Sequence, residues 1–163
     1  MPAQIVNFAE LQERYSGTYA FNTTTEPDAD YRKYLARRLG DRLPVGTGKH
    51  AADAIPLDIS LDDYEGDVIA GISAVTSRGV LSIDMLWVDE PMRDQGIGRR
   101  LVQMAEEDAR TRFCAQARVT VTTGSVAFFT GLGYTISGVV QQLTLDRSGP
   151  ARQSIYWLSK DLV

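Results

Sequence analysis

Several features that would point to particular classes of protein are scarce in this 163-residue chain. It has one cysteine, Cys114, so it cannot form an internal disulfide. Its first residues lack a charged segment followed by an apolar one, and no run approaches the roughly 20 apolar residues of a membrane span. No repeat or low-complexity tract is visible. We therefore expect a cytoplasmic protein with no membrane partner.

Basic residues are too few for a general nucleic-acid-binding surface. The 17 lysine and arginine residues are outnumbered by 21 aspartate and glutamate residues, which gives a formal net charge of -4. Because contacts to nucleic-acid phosphates need a concentrated basic surface, we expect no nucleic-acid partner, and any anion site must be local. Hydrophobic residues make up 44% of the chain, which is enough for the core of one domain of this length.

Hydrophobic periodicity in the first half predicts one helix and then several strands. Capping residues at 22–28 precede apolar residues at helical spacing, and Gly40 ends that pattern. Glycine, proline and small residues at 43–54 predict an exposed loop. Short apolar, β-branched segments with tight connections then predict an antiparallel meander of three strands, at residues 57–61, 68–75 and 81–88.

A long amphipathic helix begins the second half. Ile97, Leu101, Ala105, Ala109 and Phe113 recur every four residues and should face a core, whereas charged residues fall between them. The pattern then predicts a strand, a short helix and two strands, at residues 118–122, 125–132, 135–145 and 153–162. The strand, helix, strand unit implies that residues 81–88 and 118–122 lie parallel and are joined by a right-handed crossover.

Two glycines bracket the start of the long helix. Gly96 and Gly98 lie where backbone N–H groups have no partner within the helix, so with the helix dipole they can bind a phosphate or pyrophosphate. Three arginines add local positive charge: Arg93, Arg99 and Arg100. One alternative is a tight turn followed by a solvated helix face. Another is a dinucleotide-binding fingerprint, although Leu101 stands where its third glycine or alanine is required.

A second glycine-rich stretch, GTGKH at residues 46–50, is only faintly similar to a phosphate-binding P-loop. Leu43 and His50 stand where that motif needs a glycine and a serine or threonine. We therefore expect a loop here. His50, the one histidine of the chain, is expected to be an ordinary loop residue.

Two motifs resemble landmarks of the GNAT N-acetyltransferase superfamily. RDQGIG at residues 93–98 resembles its acetyl-CoA pyrophosphate signature, and FFTGLGY at residues 128–134 is similar to its second landmark. The resemblance covers about residues 56–163 and leaves residues 1–55 as a variable N-terminal region of helices and loops in a single domain. It implies a GNAT fold of the α/β (α+β) class. That fold has a mixed central sheet of about six to seven strands, with an N-terminal antiparallel meander, a β-α-β acetyl-CoA unit and flanking helices.

The resemblance also implies an activity and a cofactor. The protein would be an acetyl-CoA-dependent N-acetyltransferase that moves an acetyl group to a primary amine of a small molecule or peptide by direct attack in a ternary complex, without a metal. Backbone groups of Leu86 and Val88 would bind the pantetheine arm as an added strand. Other cofactor contacts would come from Arg93, Asp94, Gln95, Gly96, Ile97, Gly98, Arg99, Arg100, Thr122, Ser125, Phe128 and Phe129. Members of the family often dimerise, so a homodimer is possible.

Residues that handle protons are harder to assign. Asp84 is the candidate base, because strand alternation puts it on the face shared by Leu86 and Val88; it could instead bind substrate or cap a loop. The family commonly has a tyrosine as general acid where this chain has Phe129. Either Ser125, Tyr134 or a water replaces it, or the thiolate leaves unprotonated, or catalysis is lost. Loss of catalysis would leave an acyl-CoA-binding sensor or scaffold, which is the alternative function.

No motif identifies the acceptor. Four acidic residues would favour a cationic amine if some of them line the cleft: Asp58, Asp62, Asp63 and Glu65. A protein-modifying or toxin-type acetyltransferase is a third possibility, which the net negative charge weakens. Trp87, Trp157 and Cys114 are expected to pack in the interior rather than to bind ligands.

Overall fold

The structure, a computed structural model, describes residues 19–40 and 49–163. Within them, seven strands form one mixed sheet in the order β1-β2-β3-β4-β5-β7-β6. The strands are β1 (Ala20–Thr24), β2 (Ile55–Asp62), β3 (Val68–Ser77), β4 (Val80–Val88), β5 (Gln116–Thr122), β6 (Thr135–Asp146) and β7 (Gly149–Asp161). The helices are α1 (Ala29–Leu39), α2 (Ile97–Thr111) and α3 (Thr123–Gly131), with a short 3-10 helix at Glu90–Met92. The predicted fold class is confirmed.

Helix α1 has the limits that its capping residues predict. The Asp28 carboxylate accepts the backbone N–H of Tyr31 at 2.9 Å, and Gly40 ends the helix with a φ of 53°. Strand β1 was not predicted, because its sequence is part of the polar stretch assigned to capping. Its extended conformation comes from antiparallel pairing with β2 at the edge of the sheet. Residues 49–54 lie outside regular structure, and the rest of the predicted loop, with most of the P-loop-like stretch, lies outside the described residues.

The predicted meander and the parallel pair are both present. Strands β2, β3 and β4 pair antiparallel in sequence order, and β4 pairs parallel with β5 through the crossover helix α2. Helices α2 and α3 cover one face of the sheet, where Leu101 and Phe129 join the main core cluster. Helix α1 covers the other face, where Leu35 packs on Met85 and Trp87 of β4. The β4–β5 junction is therefore flanked by different helices on its two faces.

Helix α2 confirms most of its predicted stripe and corrects two details. Ile97, Leu101, Ala105 and Ala109 are almost fully buried. Phe113 is not part of this stripe: it lies beyond the helix end with a φ of 62°, and it is 92% exposed. Glu106, expected among the exposed charges, is only 3% exposed. It is buried because its carboxylate bonds to Lys160 of β7 and to the hydroxyl of Tyr134.

None of the helices in the described ranges is long and apolar enough to cross a lipid bilayer.

Candidate active site

Strands β4 and β5 separate partway along their length. Their parallel pairing includes only four residue pairs, from Val80 with Gln116 to Ile83 with Val119. Residues 84–88 of β4 and 120–122 of β5 continue beyond that point without pairing to each other. A wedge therefore opens toward the carboxyl ends of both strands, where unpaired main-chain groups of β4 can bind an extended ligand as an added strand. Leu86 and Val88, the predicted contacts for the pantetheine arm, lie on this edge.

Asp84 is the first residue beyond the last β4–β5 pair, and it also interrupts the pairing of β4 with β3. Ser73 pairs with Met85 and Ala74 pairs with Ile83, so Asp84 is an extra residue in a β-bulge. The bulge changes which side chains face which side of the sheet. Ile83 packs in the core under α2, whereas the Asp84 carboxylate contacts Arg32 of α1.

The prediction that Asp84 shares a face with Leu86 and Val88 is therefore wrong. Both of those side chains pack against the main core on the α2 side of the sheet. Strict alternation along β4 gives the wrong face for Asp84, because a bulge moves every residue on one side of it by one position. The sequence gives no local signal for this bulge, which lacks a glycine.

Asp84 is part of a charged network that reaches from α1 to the loop before β2. Its carboxylate accepts a hydrogen bond from Arg32 Nη1 at 3.2 Å, and both of its oxygens lie within 2.8 Å of His50 Nε2. Arg32 Nη2 also donates to the backbone carbonyl of Ala74 at 3.1 Å and lies 3.7 Å from Asp58. The side chain of Asp84 is 6% exposed, and that of His50 is 20% exposed.

The Asp58 carboxylate is buried beneath this network. Its Oδ1 accepts the Ser73 hydroxyl at 2.7 Å, and its Oδ2 has no hydrogen-bond partner among the described residues. Burial raises the pKa of Asp58, whereas the Ser73 hydrogen bond and the nearby Arg32 charge act in the opposite direction. Asp58 therefore interacts with the Arg32 guanidinium from within the protein and offers no surface to a substrate.

A cavity of about 900 Å³ opens on the α1 side of the sheet beside the wedge. The side chains of Gln116, Arg118 and Thr120 lie on this side, because the alternating residues of β5 belong to the core under α2. Strands β6 and β7 form the far wall, with Gln141 and Trp157 among its residues. His50, Asp84 and Lys49 complete the wall next to β4. The cavity is large enough for a small-molecule acceptor.

This lining corrects two expectations. Trp157, predicted to pack in the interior, is 47% exposed and lines the cavity, whereas Trp87 is buried as predicted. The four acidic residues considered for a cationic acceptor are absent from the cavity wall that the described residues form. Asp58 is buried, and Asp63 accepts the backbone N–H groups of residues 65 and 67 in the β2–β3 turn.

The amino end of α2 has the geometry of an anion site. Gly96 precedes the helix with a φ of 80°, and it supplies no capping side chain. The first amide to donate within the helix is that of Arg100, to the Gly96 carbonyl at 3.0 Å. The amides of Ile97, Gly98 and Arg99 therefore have no acceptor in the helix. With the helix dipole, they can bind a diphosphate without interference from a capping carboxylate.

The remaining signature residues surround this helix end. Arg93 Nε donates to the Val88 carbonyl at 3.0 Å, so a pantetheine bond to that oxygen would use its second lone pair. Gln95 Nε2 donates to the Pro91 carbonyl at 3.3 Å, and Asp94 is exposed in the left-handed region with a φ of 61°. Arg99 Nε is buried and has no partner in the described part of the chain. Arg100 forms an ion pair with Glu107 at 3.3 Å.

The second motif separates into a surface residue and two core residues. Phe128 is 38% exposed and would lie 3.4 Å from a Cβ added at Gly98, so it flanks the anion site. Phe129 is 3% exposed and packs edge-on against Tyr134, with ring centroids 5.3 Å apart. A side chain this buried offers almost no surface to a cofactor.

Tyr134 does not fit the role of replacement acid. Its ring is 2% exposed, and its hydroxyl donates to Glu106 at 3.0 Å. Burial and the Glu106 carboxylate raise its pKa, so the proton is held tightly on the α2 side of the sheet, opposite the cavity. Thr122 and Ser125 lie at the start of α3, at the carboxyl end of β5. The Thr122 hydroxyl makes no capping bond, which leaves it able to bind a ligand.

Sequence reasoning missed Arg32 as a site residue and treated His50 as an ordinary loop residue. Arg32 lies in a helix whose apolar spacing was the visible signal, and His50 is separated from Asp84 by 34 positions. The one sequence signal that could have pointed to His50 is that it is the single histidine of the chain. Cys114 is buried as predicted, and burial raises the pKa of its thiol.

Comparisons with known proteins identify the family. A family model described as "Acetyltransferase (GNAT) family" matches residues 8–134. Acetyltransferase Atu2258 of Agrobacterium fabrum is 36% identical over 110 residues, which is 67% of this chain and 76% of that protein. A solved structure assigned as an acetyltransferase, from Agrobacterium tumefaciens, is 30% identical, with a TM-score of 0.58 over 85% of this chain and 96% of its own.

One further structure shows likeness of fold alone. The ribosomal-protein-S18-alanine N-acetyltransferase of Escherichia coli is 14% identical, with a TM-score of 0.64 over 88% of this chain and 94% of its own. The resemblance stated from the two motifs is confirmed by the family match and by the identity to Atu2258. The protein belongs to the GNAT family of acetyltransferases.

Proposed function

We propose that this protein is an acetyl-CoA-dependent N-acetyltransferase that acts on a primary amine of a small molecule or peptide. The observation that carries the proposal is the position of the α2 amino end at the mouth of the wedge between β4 and β5. Free amides at Ile97, Gly98 and Arg99 would hold the diphosphate of acetyl-CoA. The unpaired edge of β4 would bind the pantetheine arm and direct the thioester toward Asp84.

The transfer is a direct attack in a ternary complex. The acceptor amine enters from the cavity on the α1 side, and the thioester reaches the same point along the wedge. Holding both reactants there makes the attack effectively intramolecular. A backbone N–H of β4 near the bulge polarises the thioester carbonyl. The thiolate leaves beside the start of α3, where the Thr122 and Ser125 hydroxyls and the helix dipole favour negative charge.

The cavity lining favours an acceptor amine that does not depend on a carboxylate of the protein for binding. Asp84 is the one acidic residue of the described cavity wall, and it is already bonded to Arg32 and His50. Lys49 and Arg118 add positive charge to the wall. An amine that also carries an anionic group, such as an amino acid, fits this lining better than a polyamine does.

Titration calorimetry with acetyl-CoA tests the cofactor site. We expect Gly98→Ala to bind like the wild type, because its new Cβ would make ordinary contacts of 3.4–3.6 Å with Phe128 and Val88. Gly96→Val should weaken binding at least about tenfold, because a β-branched residue cannot hold the left-handed conformation that orients the amides. Circular dichroism checks that both variants fold. Equal affinities for all three proteins would contradict the proposal.

Release of the CoA thiol in the presence of amino acids, peptides, polyamines and aminoglycosides tests the transfer. Turnover with any primary amine supports the enzyme. Tight acetyl-CoA binding with no thiol release from any amine would instead support the alternative, an acyl-CoA-binding sensor or scaffold that lost the general acid at Phe129. Mass spectrometry of the product distinguishes N-acetylation from slow thioester hydrolysis.

Three broader expectations belong to the same proposal. The chain forms a single domain of this family and acts in the cytoplasm on substrates other than nucleic acids. It associates as a homodimer, for which exposed Val139, Leu143 and Leu145 on the edge strand β6 offer an apolar surface. Light scattering at several protein concentrations tests the dimer.

A further inference from the structure

We propose that His50 is the general base of the acetyl transfer and that Asp84 is the positioning residue that orients its ring. This inference rests on the proposed function, since a base is needed only if an amine is acetylated. It reverses the roles that the sequence suggested, in which Asp84 was the candidate base and His50 an ordinary loop residue.

Asp84 is poorly placed to take a proton from the acceptor itself. Its side chain is 6% exposed, its Oδ2 already accepts a hydrogen bond from Arg32 Nη1, and both of its oxygens contact His50 Nε2. A carboxylate in this position can still orient an imidazole, because it accepts the Nε2 proton and fixes one tautomer. The basic lone pair of the neutral ring is then on Nδ1.

His50 has the freedom that Asp84 lacks. Its ring lies in the cavity wall, and its Nδ1 has no hydrogen-bond partner among residues 19–40 and 49–163. Arg32 Nη1 donates to Asp84, and Arg32 Nη2 donates to the Ala74 carbonyl, which fixes the guanidinium. The series of contacts from Arg32 through Asp84 to the His50 ring is therefore anchored to the sheet, and this fixes the orientation of the ring.

The location matches the chemistry. Asp84 immediately follows Ile83, the last residue of β4 that pairs with β5, so the imidazole lies where the wedge closes. A thioester that enters along the unpaired edge of β4 would end its approach at this point. The acceptor, entering from the cavity, would meet both the thioester carbonyl and the ring there.

The proton balance requires one base of this kind. An alkylammonium ion first gives a proton to His50 Nδ1, and the neutral amine then attacks the thioester carbonyl. The new C–N bond forms, the C–S bond breaks, and the thiolate leaves with the electron pair. The second proton on nitrogen goes to the thiolate sulfur, and His50 returns its own proton to the solvent. The products are the amide, the CoA thiol and one released proton.

The charges around the ring come from three strands, from α1 and from the loop before β2. The nearest is Asp84 of β4, at 2.7 Å from Nε2. Behind Asp84 lie the guanidinium of Arg32 in α1 and the buried carboxylate of Asp58 in β2. The cavity wall adds two cations, Arg118 of β5 and Lys49 of the loop. Any pH dependence of the rate therefore includes the effect of these groups on the ring.

Nitrogen NMR of the imidazole tests the positioning role without any turnover. The chain has one histidine, so its ring signals need no assignment by mutation. We expect the neutral ring to carry its proton on Nε2, and we expect Asp84→Asn to change both ring nitrogen shifts. Asp53→Asn is the matched control, since it also removes a carboxylate that pairs with an arginine but lies away from the cavity. A ring protonated on Nδ1, or shifts unchanged by Asp84→Asn, would overturn the inference.

Two probe amines test the proton transfer. Butylamine is an ammonium ion at neutral pH and needs a base, whereas methoxyamine is neutral there and does not. We expect His50→Gln to lower kcat/KM for butylamine by about 100-fold or more and for methoxyamine by less than about tenfold. Asp84→Asn should also lower kcat/KM more for butylamine than for methoxyamine, because the ring is no longer held in the tautomer that leaves the lone pair on Nδ1. Equal losses with both amines, or no loss with either, would overturn the assignment of the base.

Acetyl-CoA affinity separates this inference from the function on which it rests. His50→Gln and Asp84→Asn should bind acetyl-CoA as tightly as the wild type, since neither side chain lies at the α2 amino end. If the wild type itself fails to bind acetyl-CoA, the proposed function fails. If the wild type binds and turns over while His50→Gln is equally active, only the base assignment fails.

Discussion

The buried Glu106 network gives a stability prediction whose size follows from the structure. Glu106 is 3% exposed, and its carboxylate is bonded by Lys160 Nζ at 2.9 and 3.2 Å and by the Tyr134 hydroxyl at 3.0 Å. Arg110 is a third, more distant partner at 3.8 Å. Lys160→Met would leave a buried carboxylate with one neutral donor and one distant cation. Removing one partner of a buried ion pair costs about 3–5 kcal/mol, and the remaining Arg110 favours the lower end, about 3 kcal/mol.

Urea denaturation followed by tryptophan fluorescence measures this loss. With a typical dependence of about 2 kcal/mol per molar urea, the midpoint of Lys160→Met should fall by about 1.5 M. Lys33→Met is the matched control, because Lys33 is exposed on α1 and its loss should change stability by less than about 0.5 kcal/mol.

A second substitution tests the reasoning rather than the size. Glu106→Gln keeps an acceptor for Tyr134 but removes the charge that Lys160→Met leaves unpaired. In the Lys160→Met background it should therefore raise the free energy of unfolding, although in the wild type it should lower it. If Glu106→Gln destabilises both backgrounds equally, the cost of Lys160→Met does not come from a stranded carboxylate, and the explanation fails.

Three further predictions follow from single contacts. A Cβ at Gly71 would meet the Tyr31 hydroxyl and lie 3.1 Å from Tyr31 Cζ, so Gly71→Ala should cost about 1–3 kcal/mol by thermal denaturation, and Tyr31→Phe should recover part of it; additive losses would contradict this contact. Because the pKa of Asp58 is raised in the folded state, the protonated side chain contributes to the free energy of unfolding at pH values below its ordinary pKa of 3.8. This contribution is lost as pH rises through the raised pKa. Wild-type stability should thus fall relative to Asp58→Asn over that range, and a rise would refute the shift. The thiol of Cys114 should react slowly with Ellman's reagent until the protein is unfolded by urea, since burial raises its pKa; rapid reaction in the folded state would show that it is accessible.

The sequence by itself determined most of the helices and strands and the glycine motif at the start of α2. Hydrophobic residues at every second or every fourth position predict β2 to β7 and the helices to within a few positions, because this spacing shows which side of an element is buried. The glycines at the start of α2 are equally local, since amides without partners at a helix end are a property of that helix. The stripe from Ile97 to Ala109 and the turn before it could therefore be predicted from neighbouring residues alone.

Features that depend on distant residues were decided by the tertiary structure. Strand β1 is extended because β2 pairs with it, and Glu106 is buried because Lys160 and Tyr134 lie opposite it. A bulge, in which β4 has one more residue than the facing part of β3, turns Asp84 toward α1. The contact between Asp84 and His50 depends on the bulge and on the position of a loop residue 34 positions away in the sequence. Hydrophobic periodicity predicts neither of them. The sequence determined which residues face a core, because burial leaves a local pattern, whereas contacts between elements exist only once the sheet has closed.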